Sequence, residues 1–151
     1  MLVFLDTEFT QFNHPNLVSL ALVEEGGQEF YAERTDYHPE DCSDFVCETV
    51  LPLLGRVPGA ACTRIELTDR VRQWFKTLPE PAIIVYDYEW DWRLLVVAML
   101  GHPQSKPHGD VAEQLHLDSA VLSHPVFEHA LNHAYTPDWP AHHALADARE
   151  L

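Results

Sequence analysis

Residues 2–9 read LVFLDTEF, and this stretch decides both the fold and the chemistry that the sequence predicts. Its first four residues are a continuous apolar run, which is short enough to form a central strand buried on both faces. Asp6 and Glu8 follow, two residues apart, at the end of this run. Because side chains alternate along a strand, both carboxylates are expected to project from one face of the sheet, the face of Leu2 and Phe4.

Two carboxylates held this close repel each other, and hard divalent cations are the usual remedy for such repulsion. The competing interpretation is that the strand emerges into solvent at this point, where acidic side chains are common. Asp6 and Glu8 alone leave both interpretations open, so the rest of the chain has to decide between them.

Downstream of this strand, the sequence alternates between short apolar runs and segments with helical spacing. Runs at residues 17–23 and 29–33 flank a Gly-Gly turn and predict a hairpin, and further strands are predicted at residues 82–86 and 111–117. The predicted helices cover residues 43–54, 68–78, 90–100, 123–133 and 141–151, with a loop rich in proline and histidine at residues 102–109. This order predicts an α/β fold, a mixed five-stranded sheet flanked by helices, in a single domain over residues 1–151.

The charge balance limits the kinds of partner that this chain can bind. Nine lysines and arginines stand against 24 aspartates and glutamates, which gives a net charge of −15 and a pI near 4.8. Such a surface repels phosphate, so a protein that holds nucleic acid on a broad basic face is excluded. An enzyme that acts on nucleic acid through cations held in an acidic site remains allowed.

The cysteines and the apolar runs bear on where the protein works. Three cysteines with no zinc-type CxxC pair predict reduced thiols and a cytoplasmic location. No apolar run approaches the ~18 residues of a membrane span, and the N-terminus lacks a basic leader. We therefore expect neither a membrane partner nor a signal peptide.

Two further clusters of polar side chains lie where chemistry is expected. Asp87 and Asp91 follow the strand at residues 82–86, at the edge where open α/β sheets place their ligands. Acidic residues also favour the first turn of a helix, which is an ordinary explanation for this cluster. In the second cluster, His142 precedes Asp147 by five residues at the start of a predicted helix, and such a pair alone is more often surface decoration than catalysis.

Taken in this order, the three clusters resemble the motifs of the DEDDh 3′–5′ exonucleases, most of all the small RNase T-like 3′–5′ exoribonucleases of bacteria. The matching segments are D-T-E-F at residues 6–9, the aspartate after the fourth strand, and H-x-A-L-x-D at residues 142–147. By this resemblance Asp6 and Glu8 belong to the first motif. Asp91 belongs to the second motif, with Asp87 where the family has asparagine. His142 and Asp147 belong to the third. The implied fold is the ribonuclease H-like mixed sheet.

The resemblance implies a metal-dependent hydrolase. Two Mg²⁺ or Mn²⁺ ions about 4 Å apart would clamp the scissile phosphate, activate the attacking water and stabilise the leaving 3′ oxygen. Asp6 would bridge both ions, while Glu8 and Asp147 would bind the ion that holds the attacking water. Asp91 would bind its ion directly or through water. His142 would remove the proton of the attacking water as a general base.

The implied substrate is the 3′ end of single-stranded RNA, or a 3′ overhang, from which a homodimer releases nucleoside 5′-monophosphates. The acidic surface predicts that only a few terminal nucleotides are held. Phe9, Thr10 and Trp90 are the predicted substrate-binding residues, since Phe9 and Trp90 flank the predicted metal ligands and can stack on bases. Packing in the core is the alternative for both aromatic rings.

Two alternatives to an exoribonuclease remain. The same chemistry could act on single-stranded DNA or on very short oligonucleotides. In a different class, a degenerate nuclease fold could serve as a binding module. A complete set of four carboxylates and a histidine argues against the binding module, because nothing else would keep mutually repelling acids together.

Either of two adjacent histidines could supply the base. In one regular helix, at about 100° per residue, His143 would lie some 40° from Asp147 and His142 some 140° away, which favours His143. The family places its histidine five residues before the aspartate, which favours His142. Because Pro140 should delay the start of the helix, His142 is the predicted base.

Overall fold

A six-stranded mixed sheet forms the centre of the protein. The computed structural model describes residues 1–102 and 109–151, with the backbone alone described at residue 128 and at residues 131–134. The strands are β1 (Leu2–Phe9), β2 (Leu17–Glu24), β3 (Glu29–Arg34), β4 (Ala61–Cys62), β5 (Ala82–Tyr86) and β6 (Val111–His116). Their order across the sheet is β4-β3-β2-β1-β5-β6.

The strand β1 lies between an antiparallel and a parallel neighbour. It pairs with β2 in an antiparallel ladder and with β5 in a parallel one, and β6 continues the sheet parallel to β5. The hairpin predicted between β2 and β3 is present, and its turn contains Gly27 with φ 97°. That left-handed conformation suits glycine, which has no Cβ to clash with the backbone.

Helices cover the two faces of the sheet unequally. They are α1 (Arg64–Phe75), α2 (Glu89–Leu100), α3 (Ser119–Leu122), α4 (Pro125–Ala134) and α5 (Ala144–Ala148). The main core packs α1 and α2 against one face through residues such as Leu5, Leu67 and Leu95. On the other face, Leu145 of α5 packs with Ala21 of β2 in a smaller core. The α/β fold class is thus confirmed, and the sheet is compatible with a ribonuclease H-like fold.

The structure corrects several predicted elements. The sheet has six strands and not five, because the two-residue β4 is too short to carry a periodic signal. Helix α1 begins at Arg64 and not at residue 68, since Thr63 and Glu66 form a reciprocal capping box there. The helix predicted at residues 43–54 is a π-helical turn, Val46–Val50, followed by a 3₁₀ turn, Leu51–Leu53. Pro52 explains that change, because it lacks the N–H that a regular helix needs.

The C-terminal third also differs from the prediction. The helix expected at residues 123–133 is replaced by α3 and α4, with Pro125 at the first position of α4. The last helix covers only Ala144–Ala148. Residues 103–108 of the predicted loop lie outside the described residues. Among the described helices, none is long and apolar enough to cross a membrane.

The contrast between two neighbours on α1 tests this packing. Leu67 is 1% exposed in the main core, whereas Ile65 is 76% exposed. We expect Leu67→Ala to lower the free energy of unfolding by about 2–5 kcal/mol, because it leaves a cavity beneath the sheet. Ile65→Ala should change it by less than about 0.5 kcal/mol. Denaturant titration measures both, and equal losses would mean that α1 is not seated on the sheet as described.

Candidate active site

A cleft lined by carboxylates opens beside the C-terminal end of β1. It encloses about 290 Å³. Asp6 lies in its wall together with residues from four other parts of the chain, namely Asp87, Leu122, Phe127, Tyr135, Asp147, Glu150 and Leu151. Five segments that are distant in sequence therefore meet around one acidic cavity.

Three aspartates form a first group of potential metal ligands. One carboxylate oxygen from each of Asp6, Asp87 and Asp91 lies within 4.8 Å of the other two. Asp91 is 2% exposed, and the hydroxyl of Thr7 donates a 2.6 Å hydrogen bond to its Oδ1. Thr7 thereby fixes the orientation of the Asp91 carboxylate from the strand that also carries Asp6.

Glu8, His142 and Asp147 form the second group, with one ligand atom from each again within 4.8 Å of the others. Two hydrogen bonds orient Asp147. The phenol of Tyr135 donates to Oδ1 at 2.9 Å, and the backbone N–H of His142 donates to Oδ2 at 3.0 Å. Asp147 of α5 thus fixes the backbone of His142, which lies just before the helix.

His142 lies before α5 in an uncommon backbone conformation. Its φ is 67°, and it is the one residue other than glycine with positive φ among those described. Such a conformation is uncommon for a residue with a Cβ, and strained residues of this kind cluster at active sites and ligand clamps. The exposed imidazole packs edge-on against Phe45, with ring centroids 5.1 Å apart.

His143 has a different environment from its neighbour. It is 2% exposed, and its ring stacks on Tyr31 at 4.9 Å and meets Trp139 edge-on at 5.1 Å. Burial lowers the pKa of His143, and the positive charge of Arg56 lowers it further. The structure therefore brings His142 to the carboxylates and buries His143 in the smaller core.

Burial and mutual repulsion raise the pKa values of the carboxyl groups at the end of β1 and in the adjoining cleft. Burial is the largest cause for Asp6, whose pKa is raised well above its ordinary value, and the charges of Asp91 and Glu8 add to it. Burial likewise raises the pKa of Glu8 to about 8 and that of Asp91 to about 7. The pKa of Asp147 is also raised, again chiefly by burial.

The donor set fits hard divalent cations. Asp6 Oδ2 is buried and has no hydrogen-bond partner among the described residues. An unpaired carboxylate oxygen facing other carboxylates is a costly arrangement unless a cation neutralises it. Oxygen ligands of this type are those that Mg²⁺ and Mn²⁺ prefer.

Two polar residues of the cleft were not identified from the sequence. Tyr135 donates to Asp147 from the segment after α4. Glu150 is 9% exposed in the cleft wall, and burial raises its pKa to about 7. Neither residue belongs to a local motif, because each meets the site only after the C-terminal segment folds against the sheet. Asp87 was noted only as a substitute for asparagine, and the structure places it among the ligand atoms.

Three aromatic rings form a cluster next to the carboxylates. Phe9 follows Glu8, and its ring is nearly parallel to that of Tyr88, with centroids 6.3 Å apart. Phe12 meets both rings edge-on and is 67% exposed, while Tyr88 is 43% exposed. The pairing between β1 and β2 shifts register between Glu8 and Phe9, which re-aims the Phe9 side chain at the strand end.

The other two predicted substrate-binding residues lie elsewhere. Thr10 is fully buried, and its hydroxyl accepts a 3.0 Å hydrogen bond from the backbone N–H of Asn16. Its role in the structure is to close the loop after β1. Trp90 lies on α2 next to Asp91, but its ring lines a separate pocket on the flank of that helix.

Curated relatives share part of this sequence. Two proteins of Mycobacterium tuberculosis, 3′-5′ exoribonuclease Rv2179c of strain ATCC 25618 / H37Rv and 3′-5′ exoribonuclease MT2234.1 of strain CDC 1551 / Oshkosh, are each 42% identical to it. The match covers 49% of this chain and 52% of each relative, so the chain spans about half the length of the curated relatives it matches. No protein-family model matches the chain.

The raised pKa values predict how stability depends on pH without metal. A carboxyl group whose folded pKa exceeds its unfolded pKa stabilises the fold while protonated, and this contribution is lost as pH rises through the folded pKa. With folded pKa values of about 8 for Glu8 and about 7 for Asp91, the melting temperature of the metal-free protein should fall between about pH 4, near the unfolded pKa values, and about pH 8. Mn²⁺ should restore it at the upper end.

Thermal melts in the presence of a chelator, and then with Mn²⁺, measure this effect. Asp6→Asn is the matched variant, because it removes one repelling charge and should flatten the pH dependence. A melting temperature that is independent of pH and of Mn²⁺ would contradict the proposed electrostatics of the cleft.

Proposed function

We propose that this protein is a metal-dependent 3′–5′ exoribonuclease that releases nucleoside 5′-monophosphates from RNA 3′ ends. One observation carries the proposal. Five carboxylates and an exposed imidazole gather at the end of β1 in two groups of ligand atoms, Asp6–Asp87–Asp91 and Glu8–His142–Asp147, and Asp6, Asp87 and Asp147 line the cleft. The names of the two curated relatives support the direction of cleavage and the choice of RNA.

The two groups support a two-cation site. Asp6, Asp87 and Asp91 would hold one cation, and Glu8 and Asp147 the other. Asp6 is adjacent to both groups, since the charges of Asp91, Glu8 and Asp147 all act on it. When bound, the cations would supply neutralisation of the phosphodiester charge and Lewis-acid activation of water.

His142 would carry the proton transfer. A water attacks the phosphorus of the last phosphodiester, and a ring nitrogen of His142 accepts the proton that the water loses. The bond from phosphorus to the 3′ oxygen of the preceding nucleotide breaks, that oxygen takes a proton from solvent water to become the new 3′ hydroxyl, and His142 returns its proton to solvent. The products are a nucleoside 5′-monophosphate and a strand shortened by one nucleotide.

Cleavage from an end follows from how little of the strand the acidic surface can hold. The net charge of −15 opposes long contacts with a polyanion, so the terminal nucleotide must supply much of the affinity. The exposed rings of Phe12 and Tyr88, beside Phe9, offer bases a stacking surface next to the carboxylates. Stacking tolerates any base, because every base has a π face.

Several further predictions belong to the same proposal. We propose that residues 1–151 contain a single nuclease domain and that the active protein is a cytoplasmic homodimer. The odd number of cysteines is the sequence observation behind the location, and the family resemblance is the basis for the dimer. Light scattering at the monomer mass would remove the dimer.

Labelled substrates of matched sequence test the activity. With 5′-labelled single-stranded RNA and Mg²⁺, we expect a ladder of products that shortens from the 3′ end, and no products when the 3′ hydroxyl is blocked. Asp6→Asn should abolish the ladder while the protein stays folded, because the variant removes a carboxylate of the first group that also interacts with the charges of the second. Faster degradation of DNA of the same sequence would move the proposal to a deoxyribonuclease, and cleavage of circular RNA would contradict an exonuclease.

The two adjacent histidines provide a matched pair for the proposed base. His142→Ala should lower kcat by ~10²–10⁴-fold, the usual contribution of a positioned base, with little change in metal affinity. His143→Ala should lower the melting temperature, because its ring packs between Tyr31 and Trp139. Its kcat, measured on folded protein, should change much less. Single-turnover kinetics separate the two effects, and the reverse order of effects on kcat would assign the base to His143.

A further inference from the structure

A second pocket, of about 450 Å³, lies on the flank of α2 outside the carboxylate cleft. The loop after β1 forms one wall through His14 and Asn16. Helix α2 forms the opposite wall with Trp90 and Arg93. Arg64, at the start of α1, and Arg34, at the end of β3, complete its lining. We call this the arginine pocket.

The charge of the arginine pocket is opposite to that of the whole chain. Three of the nine lysines and arginines line it, although acidic residues outnumber basic ones by 24 to 9. No aspartate or glutamate is among the described lining residues. In a protein of this composition, three arginines lining one pocket favour the binding of an anion there, to the extent that their charges are not already paired.

The three arginines differ in how far their charge is already neutralised. Arg34 is largely buried and forms a salt bridge with Asp36 at 2.8 Å. Arg93 bonds to Glu89 at 3.2 Å, but both side chains are about half exposed, so solvent screens this pair. In the described part of the chain, the guanidinium of Arg64 has no carboxylate partner within salt-bridge distance. Arg64 and Arg93 are therefore available to an anion, while Arg34 is structural.

Trp90 gives the arginine pocket an aromatic wall. The guanidinium of Arg93 lies over the Trp90 ring, 5.2 Å from its centroid. A positively charged group next to an aromatic face is the combination that single-stranded nucleic acids use, with phosphate on the cation and base on the ring. An inorganic anion alone has no aromatic group that could stack on the Trp90 ring.

The arginine pocket shares helix α2 with the carboxylate site and adjoins the loop that follows β1. Trp90 and Asp91 are consecutive on α2, and Arg93 is two residues further, which at 1.5 Å per residue is about 3 Å along the helix axis. The loop that begins after Phe9 forms its other wall, and the hydrogen bonds between Thr10 and Asn16 fix that loop. Phe12 of the aromatic cluster belongs to this same loop, between Thr10 and Asn16.

We propose that the arginine pocket binds the phosphodiester backbone and one base of the substrate strand, on the 5′ side of the scissile bond. The inference rests on the proposed exonuclease function for its direction along the strand. Arg64 and Arg93 neutralise phosphate oxygens, and Trp90 stacks on a base. The strand then runs from the carboxylates across the aromatic cluster into this pocket.

Binding measurements test the pocket separately from catalysis. The probe is a fluorescent single-stranded RNA of about ten nucleotides with a 3′ phosphate that blocks hydrolysis, in the presence of Mg²⁺. The variant is Arg64→Gln with Arg93→Gln, in which both changed side chains are exposed or half exposed. We expect its Kd to rise about tenfold, and the slope of log Kd against log salt to fall by about 1.4, at about 0.7 per lost phosphate contact.

Lys76→Gln is the matched control, because it removes one positive charge next to the far end of α1. It should leave both the Kd and the slope unchanged. A nucleoside 5′-monophosphate serves as a second probe and should bind the wild type and the double variant equally. Thermal melts of each variant establish that it is folded.

The other possible results of these binding measurements either overturn the proposed RNA site or separate it from the exonuclease activity. Equal Kd values for the wild type and the double variant, or no binding by the wild type, would overturn the proposal. A loss confined to the mononucleotide would assign the pocket to a free nucleotide and overturn it as well. If the wild type binds through the pocket but produces no ladder from the unblocked RNA, the exonuclease proposal fails while the nucleic-acid site stands.

Discussion

The structure depends on one unfavourable interaction, the repulsion among carboxylates crowded at the end of β1. Asp6 has a buried oxygen with no partner among the described residues, and the charges of Asp91, Glu8 and Asp147 all act on it. A fold that was selected for stability alone would not hold these groups together. The sheet and its core offset the unfavourable free energy of this repulsion. Strand β1 is hydrogen-bonded to β2 and β5 and packs against the main core on its other face.

The alternation of side chains along β1 explains how that repulsion is organised. Asp6 and Glu8 point toward the face that α5 covers, and α5 brings Asp147 to them. Thr7 points the other way and bonds to Asp91 of α2. Three consecutive residues of one strand therefore contribute to both groups of potential ligands, because Asp6 and the partner of Thr7 belong to the first group and Glu8 belongs to the second. This is why a central strand, and not a loop, carries the motif, because a strand fixes the angle between successive side chains.

The sequence was most informative where the chemistry is local. Alternation of side chains along a strand predicts that Asp6 and Glu8 lie on the same face of β1. The Gly-Gly turn between two apolar runs predicts the hairpin of β2 and β3. Features that depend on distant contacts left no local signal, as Tyr135, Glu150 and β4 show. The start of α1 was predicted at residue 68 and lies at Arg64, because Thr63 has the glutamate three residues later that completes a capping box. The arginine pocket was hidden for the same reason, since its three arginines belong to three different elements.

The hydrogen bond from the backbone of His142 to Asp147 ties two parts of the site into one mechanical unit. The same carboxylate that faces Glu8 holds the left-handed turn on which the imidazole stands. Any change in where that carboxylate points is transmitted to the ring through a single rigid peptide group. The positions of the His142 ring and the Asp147 carboxylate are therefore coupled, so a substitution that moves one of them also moves the other.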